Sequence, residues 1–175
     1  RSTGPRSSGA TSAKPSVAKS RPDNCSAPRP TGCVRASSAL RVGRLDTKDT
    51  TNQTVDIRTT AGALTVAGSN TAGNQLDLDI DAVAFKGASG LTVATGTGDE
   101  LKFGSLTLEV TGAGNLVISN AVTGTTQAAT TGDVQLLTAN GDVQIDAAVS
   151  TGVSSTPDGT NAQSGSIAVT AGTNG

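Results

Sequence analysis

Apolar and polar residues alternate in short runs along the chain from residue 51 onward. Each run places two or three apolar residues at every second position, and glycine or asparagine often stands between the runs. A period of two with such boundaries predicts β-strands that bury one face and expose the other. Apolar residues nowhere recur at intervals of three and four over the length of a helix, so an all-β domain with many short strands is expected. The runs are Val55-Asp56-Ile57, Leu64-Thr65-Val66, Leu76-Asp77-Leu78-Asp79-Ile80, Leu91-Thr92-Val93, Leu106-Thr107-Leu108, Leu116-Val117-Ile118 and Ile167-Ala168-Val169.

A five-residue phrase recurs in this domain: glycine, any residue, an apolar residue, any residue and a second apolar residue. It is clearest at Gly132 and Gly141, which begin the nearly identical segments Gly-Asp-Val-Gln-Leu and Gly-Asp-Val-Gln-Ile. Each copy offers only two apolar side chains for burial, so the copies are expected to stack on one another to form a core. This predicts a parallel β-solenoid over residues 51–175, with aliphatic residues inside and glycines at the corners. The other full copies begin at Gly62, Gly104, Gly114 and Gly165.

A β-sandwich is the alternative fold, and its best support is the dipeptide Asn140-Gly141. Asn-Gly between two alternating runs is a strong signal for a tight β-hairpin, which would place Leu136 opposite Ile145 in an antiparallel pair. A sandwich core of this size usually buries a Trp or Tyr, and the chain contains neither. The solenoid is therefore favoured, and the sandwich stays open.

The solenoid also predicts which side chains near the phrase face the core. Val134, Leu136, Val143 and Ile145 would all point inward, and Gln144 would point outward. Replacing Ile145 with aspartate is then expected to unfold the domain, because an unpaired charge would enter an aliphatic core.

Residues 1–50 differ sharply in composition from the rest of the chain. They contain ten Lys or Arg and three Asp, whereas residues 51–175 contain three Lys or Arg and eleven Asp or Glu. Five of the six prolines also lie in the first fifty residues. A Pro-, Ser- and Arg-rich segment buries too little apolar surface to offset its ordering entropy, so residues 1–50 are predicted to be disordered, with order beginning between Thr50 and Ala61. The basic residues are scattered among prolines, which disfavours a nucleic-acid-binding arm.

The two cysteines, Cys25 and Cys33, lie in this basic segment. They could pair in an oxidising compartment, and the sequence leaves that pairing open. Two cysteines without a histidine or a second pair do not form a zinc site.

A family resemblance rests on two segments of the C-terminal part, TGDVQLLTANGDVQIDAAVSTG and SGSIAVTAGTNG. They resemble the repeats of filamentous haemagglutinins and related large bacterial surface or secreted proteins, and the resemblance covers residues 60–175. It implies a right-handed parallel β-helix in an extracellular stalk or adhesin. It supplies no catalytic residues to carry over.

The sequence offers few groups for catalysis or metal binding. It has no histidine, which excludes a Ser-His-Asp nucleophile within this chain. Asp77, Asp79 and Asp81 alternate with apolar residues and would share one strand face, where a Ca²⁺ site competes with a simple solvated face. The solvated face is favoured, because a straight strand spreads its carboxylates instead of converging them on an ion. Gly96-Thr97-Gly98-Asp99 is a single defective copy of a calcium-binding nonapeptide and is expected to form a turn.

The expected function is therefore structural. We assign no catalytic, cofactor-binding or metal-ligating residue and do not expect an enzyme. The absence of Met suggests a piece of a longer secreted or cell-surface protein that acts as a rigid scaffold. Its expected partners are host-cell or extracellular polysaccharide and protein surfaces, without nucleic acid or a membrane span, and an uncapped C-terminal solenoid end would self-associate. The alternatives are a Ca²⁺-dependent adhesion sandwich of the cadherin or immunoglobulin type and, third, a β-helix that acts on polysaccharides.

Overall fold

The computed structural model describes residues 32–46, 50–68, 76–96, 100–125, 133–151 and 165–173. Of these, only the backbone is described at residues 46, 50–53, 76–81, 100–102 and 123–125. The described residues form fourteen strands and contain no helix, which confirms the all-β prediction. The strands are β1 (Gly32–Ala36), β2 (Leu40–Val42), β3 (Leu45–Asp46), β4 (Thr50–Thr59), β5 (Leu64–Val66), β6 (Leu76–Gly87), β7 (Leu91–Val93), β8 (Glu100–Val110), β9 (Leu116–Ile118), β10 (Val122–Thr125), β11 (Asp133–Thr138), β12 (Val143–Ile145), β13 (Val149–Ser150) and β14 (Ile167–Thr170).

The strands of the described residues pair in parallel throughout and form three ladders. The first ladder has the order β1-β4-β6-β8-β11-β14, and the second has the order β2-β5-β7-β9-β12. The third joins β3, the N-terminal half of β6, the N-terminal half of β8, β10 and β13. The chain visits the first, second and third ladders in that order and then returns to the first. We call one such circuit a pass.

Apolar side chains occupy equivalent positions in successive passes and form a single core. In the first ladder, Val34, Ile57, Phe85, Leu108 and Leu136 lie opposite one another from strand to strand. Burial alternates along each of these strands, as a period of two requires. Ile57, Phe85, Leu108 and Leu136 are buried, whereas the residues immediately before and after each of them in the chain are not. The second ladder contributes a column of Leu40, Leu64, Leu91, Leu116 and Val143 and a column of Val42, Val66, Val93, Ile118 and Ile145.

The antiparallel hairpin that the β-sandwich alternative would form at Asn140-Gly141 is absent, since the flanking strands β11 and β12 do not pair with each other. Leu136 lies opposite Leu108 and Val169 in parallel pairs, and β12 pairs with β9 instead of β11. Asn140-Gly141 is the corner between the first and second ladders, where a Cβ atom on Gly141 would overlap the carbonyl oxygen of Gly114 in the preceding pass. A local signal for a tight turn does not distinguish a hairpin from a tight corner, because both select small residues that allow close backbone approach.

The predicted inward orientation of the apolar side chains in the two copies of the five-residue phrase is confirmed in part. Val134 and Leu136 are fully buried, and Val143 packs partly buried against the core. Ile145 is 45% exposed, although it lies opposite the fully buried Ile118. It continues an inward column, but no described strand lies beyond β12 to cover it. The expectation that an aspartate at this position unfolds the domain is therefore not supported by its burial.

Strands begin before the boundary predicted at residue 50. Three of them, β1, β2 and β3, lie within residues 32–46, and β1 pairs with β4 over five consecutive residues. The division at residue 50 therefore holds for composition and charge but does not mark where the strands begin. The predicted disorder of residues 1–31 lies outside the described residues.

Buried threonine hydroxyls form hydrogen bonds that connect the corners of successive passes. Thr138 Oγ1 donates a hydrogen bond to the carbonyl oxygen of Gly141 and accepts one from the amide of Gly172, 3.1 Å away. Thr59 makes the same two contacts, donating to the carbonyl oxygen of Gly62 at 2.9 Å and accepting from the amide of Ala88 at 2.9 Å. One hydroxyl thus satisfies a carbonyl within its own corner and an amide in the next pass.

We expect Thr138→Val to lower the free energy of unfolding by about 1–3 kcal/mol, because the isosteric change leaves one buried carbonyl and one amide without their partner. Thr107→Val is the matched control: Thr107 lies on the outer side of β8, half-buried, and its replacement should change stability by about 0.5 kcal/mol or less. Urea unfolding followed by circular dichroism measures both. Equal losses for the two variants would contradict the structural role of the Thr138 hydroxyl.

Candidate functional site

The outer face of the first ladder carries five charged side chains, half of those whose positions the structure describes. Two columns run along it from pass to pass, both on the side opposite the core. One column is Cys33, Asp56, Ala84, Thr107, Gln135 and Ala168. The other is Arg35, Arg58, Lys86, Glu109, Leu137 and Thr170. This face is mostly polar and continuous over six strands, and we refer to it as the outer face of the first ladder.

Charged residues on this face neutralise one another in pairs. The Arg58 guanidinium contacts both carboxylate oxygens of Asp56, and the Nε–Oδ1 distance is 3.0 Å. Lys86 Nζ lies 2.6 Å from Glu109 Oε2 across the pairing of β6 with β8. All four side chains are partly exposed, between 16% and 31%. Such pairs contribute only about 0–1 kcal/mol each to stability, so their main effect is to compensate four of the five charges in the two columns; the fifth is Arg35, which is exposed on β1.

The outer face of the second ladder is nearly uncharged. Its single outward column consists of Arg41, Thr65, Thr92, Val117 and Gln144. Arg41 and Gln144, at the two ends, are exposed, and the three residues between them are half-buried. A face of this composition can make hydrogen bonds and van der Waals contacts with a flat partner, but it offers no acid–base pair of its own.

The three aspartates considered as a Ca²⁺ site lie on β6, in the third ladder. In the backbone register, Asp77 is opposite Glu100 and Asp79 is opposite Lys102. Their side chains are not among those described, and residues 97–99, for which a turn is predicted, lie outside the described residues. Within the described part of the chain, no group of three or more His, Cys, Asp or Glu could hold a metal ion. The cation site therefore stays an untested hypothesis.

Cys33 takes part in a disulfide bond. Cys25, the only other cysteine of the sequence, lies outside the described residues. Cys33 occupies the outer face of the first ladder, in the column that continues through Asp56.

Asp133 holds the beginning of the last strand in place. Its Oδ1 atom accepts hydrogen bonds from the amide and the hydroxyl of Ser166, each 2.8 Å long. The backbone hydrogen bond, followed by the hydroxyl, favours the charged carboxylate and lowers the pKa of Asp133 below its ordinary value. A carboxylate with a lowered folded-state pKa stabilises the fold above its unfolded pKa, and the contribution disappears as the pH falls through the folded pKa.

We therefore expect acidification below about pH 4 to loosen the start of β14, since an unfolded aspartate titrates near that value. The amide chemical shift of Ser166, followed by NMR from pH 6 to pH 2, should report the change before the rest of the strand responds. Asp133→Asn keeps an acceptor oxygen and removes the titration, so its Ser166 shift should be independent of pH. A pH-dependent shift of the same size in the asparagine variant would show that another group is responsible.

Sequence reasoning missed the two ion pairs of the outer face. Asp56 and Arg58 are two residues apart within one alternating run, so their shared face could have been found from the period of the strand. Lys86 and Glu109 are 23 residues apart and become neighbours only through the register of β6 with β8. No local signal in the sequence specifies that register.

Comparisons with protein-family models, curated proteins and solved structures found no match to this chain. The part of the chain that the structure describes contains no candidate membrane-spanning helix.

Proposed function

We propose that this chain is a segment of a right-handed parallel β-solenoid that serves as a rigid, non-catalytic scaffold in a large secreted or cell-surface bacterial protein. The observation that carries the proposal is the repeated order of the three ladders, pass after pass, around continuous columns of apolar side chains. Stacked passes contact mainly their neighbours, so a solenoid lengthens by about 4.8 Å per pass without changing its cross-section.

Two further observations support an extracellular setting for this scaffold. The outer faces present small polar residues, and four of the charged side chains of the first ladder are paired, which suits contact with polysaccharide or protein surfaces better than with a polyanion such as nucleic acid. The disulfide at Cys33 is of the kind that persists in oxidising compartments, as in secreted and surface proteins. Both agree with the resemblance to filamentous haemagglutinin repeats.

Duplication of one pass tests the solenoid directly. Val83 lies opposite Leu106, so residues 83–105 span one pass of 23 residues. A second copy of residues 83–105 inserted after Ser105 should fold into an additional pass, retain cooperative unfolding and lengthen the particle by about 4.8 Å in small-angle X-ray scattering. A scrambled insert of the same composition is the matched control and should destabilise the protein. Loss of cooperative unfolding in the faithful duplicate would overturn the solenoid.

Binding assays test the scaffold as part of an adhesive surface. Beads coated with folded protein should bind extracellular polysaccharide, matrix-protein or cell surfaces, and beads with thermally unfolded protein should not. The melting temperature and the binding should be the same in Ca²⁺ and in a chelator. A rise of the melting temperature with Ca²⁺ would favour the calcium-dependent adhesion domain, and release of soluble oligosaccharide would favour a polysaccharide-acting enzyme.

A further inference from the structure

The corner between β11 and β12 contains Asn140-Gly141, a dipeptide with its own covalent chemistry. An asparagine followed by glycine is prone to deamidation, because glycine has no side chain to hinder attack by its amide nitrogen. In that reaction Gly141 N bonds to Asn140 Cγ, the bond from Cγ to the side-chain nitrogen breaks, and ammonia leaves with the proton of the Gly141 amide. Water then opens the resulting succinimide at either carbonyl and gives aspartate or isoaspartate. Asn140 is exposed, so water reaches its side chain.

Contacts with the preceding pass hold the attacking residue in place. Gly141 is buried, and a Cβ atom on it would lie 2.0 Å from the carbonyl oxygen of Gly114. The carbonyl oxygen of Gly141 accepts a hydrogen bond from the Thr138 hydroxyl. The amide of the next residue, Asp142, donates to Asn115 Oδ1 at 3.1 Å. Gly141 is therefore fixed at its Cα atom, at its carbonyl and at the amide that follows.

The following pass encloses the same corner from the other side. A Cβ atom on Gly172 would lie 2.0 Å from the carbonyl oxygen of Ala139 and 2.6 Å from the amide nitrogen of Asn140. The amide of Ala139 donates to the carbonyl oxygen of Val110 at 2.9 Å. Ring closure draws the Gly141 nitrogen toward Asn140 Cγ, so the backbone on both sides of that nitrogen must move. The contacts with both adjoining passes oppose this movement.

We propose that Asn140 is a deamidation site controlled by the stack: the two adjoining passes keep it intact, and local opening of this corner exposes it to succinimide formation. Local opening of this kind requires less free energy than global unfolding. The inference rests on the contacts of this one corner and does not depend on the proposed scaffold function.

The isoaspartate product makes such an opening irreversible. It places one additional carbon atom in the backbone at position 140. The corner has no room for that atom, because Gly141 and Gly172 already pack directly against the backbone of neighbouring passes. A chain modified while the corner is open therefore cannot restore the hydrogen bonds of Thr138 and Asn115 together.

The deamidation rate of the full 175-residue chain at mildly alkaline pH, compared with that of a peptide of residues 136–146, tests the protection. Cleavage before aspartate releases residues 133–141, in which Asn140 is the only asparagine, so mass spectrometry follows this residue alone. Aspartate at position 140 creates a further cleavage site and isoaspartate does not, which separates the two products. We expect Asn140 to react at least about tenfold more slowly in the folded chain than in the peptide. Equal rates would overturn the proposal.

Two threonine variants separate local opening of this corner from global unfolding. Thr138→Val removes the hydrogen bond to the Gly141 carbonyl and should raise the deamidation rate of Asn140 several-fold in the folded protein. Thr59→Val is the matched control, because the Thr59 hydroxyl makes the equivalent contacts at another corner, with Gly62 and Ala88. It should leave the Asn140 rate unchanged.

Both variants are compared with the unchanged chain at a temperature at which circular dichroism shows all three to be folded. Equal acceleration in the two variants would mean that Asn140 reacts only from the globally unfolded chain, and it would overturn the proposed local opening. Acceleration in neither variant would overturn the role of the Thr138 hydrogen bond in the protection. If neither variant folds, the comparison of the unchanged chain with the peptide still decides whether the stack protects Asn140.

Discussion

An aspartate in place of Leu108 should unfold the protein. Leu108 is 1% exposed and lies between Phe85 and Leu136 of the adjacent strands, so it is covered on both sides. The substitution removes most of a buried leucine side chain and places a charge among apolar neighbours, which together cost about 5 kcal/mol or more. That loss is comparable to the whole stability of many domains of this size.

The neighbouring residue provides the control for this prediction. Thr107 points outward from the same strand, between Ala84 and Gln135, so Thr107→Asp adds the same charge without burying it. Its free energy of unfolding should change by about 1 kcal/mol or less. Urea denaturation followed by circular dichroism compares the two variants. If Thr107→Asp were as damaging as Leu108→Asp, the assignment of inner and outer sides would be incorrect.

Replacing Gly62 with alanine should produce the second large loss, about 3 kcal/mol. Gly62 has a φ of 81°, a left-handed conformation that costs an L-residue about 1–2 kcal/mol. A Cβ atom there would also lie 2.5 Å from the amide nitrogen of Ala39 in the preceding pass, and relieving that overlap adds to the loss. The corner between the first two ladders would have to open.

Gly43→Ala is the matched control, because the structure has room for a Cβ atom at Gly43. A Cβ atom at Gly43 would meet the carbonyl oxygen of Ala67 at 3.7 Å, which is ordinary van der Waals contact. Its melting temperature should stay the same or rise slightly, because alanine reduces the entropy of the unfolded chain. Thermal unfolding of the two variants, measured side by side, compares their melting temperatures. A Gly62→Ala protein as stable as Gly43→Ala would show that the corner is not tightly packed.

The positions of individual strands could be predicted from the sequence, because alternation is a local property. The runs at Val55, Leu64, Leu91, Leu116 and Ile167 all lie in strands. The strands of residues 32–46 were missed, because their two apolar–polar–apolar runs lie within a basic, proline-rich composition typical of disorder. A strand of five residues or fewer has little effect on the average composition of fifty residues, so the alternation of apolar and polar positions in these short strands was overlooked.

The partner of each strand could not be predicted in the same way. Asn140-Gly141 has the strongest local turn signal in the chain, yet its flanking strands pair with other passes, since the register depends on the whole stack. The exposure of Ile145 has a related cause. The alternation of apolar and polar residues around it predicts an inward side chain, but burial also requires a further strand paired with β12. Only one of the two ion pairs on the outer face of the first ladder could have been predicted from the sequence. Asp56 and Arg58 share a run, whereas Lys86 and Glu109 meet through pairing alone.

The spacing of paired strands has a consequence for how the protein folds. Every described pair joins residues between 23 and 33 positions apart, from Gly32 with Val55 to Val134 with Ile167. Closing loops of such uniform and moderate length carries nearly the same entropic penalty each time. Once two neighbouring passes have formed, they offer a strand edge with which the next pass can pair, as happens in linear repeat arrays. Assembly can therefore advance along the polypeptide in the direction of its synthesis, without waiting for distant residues to arrive.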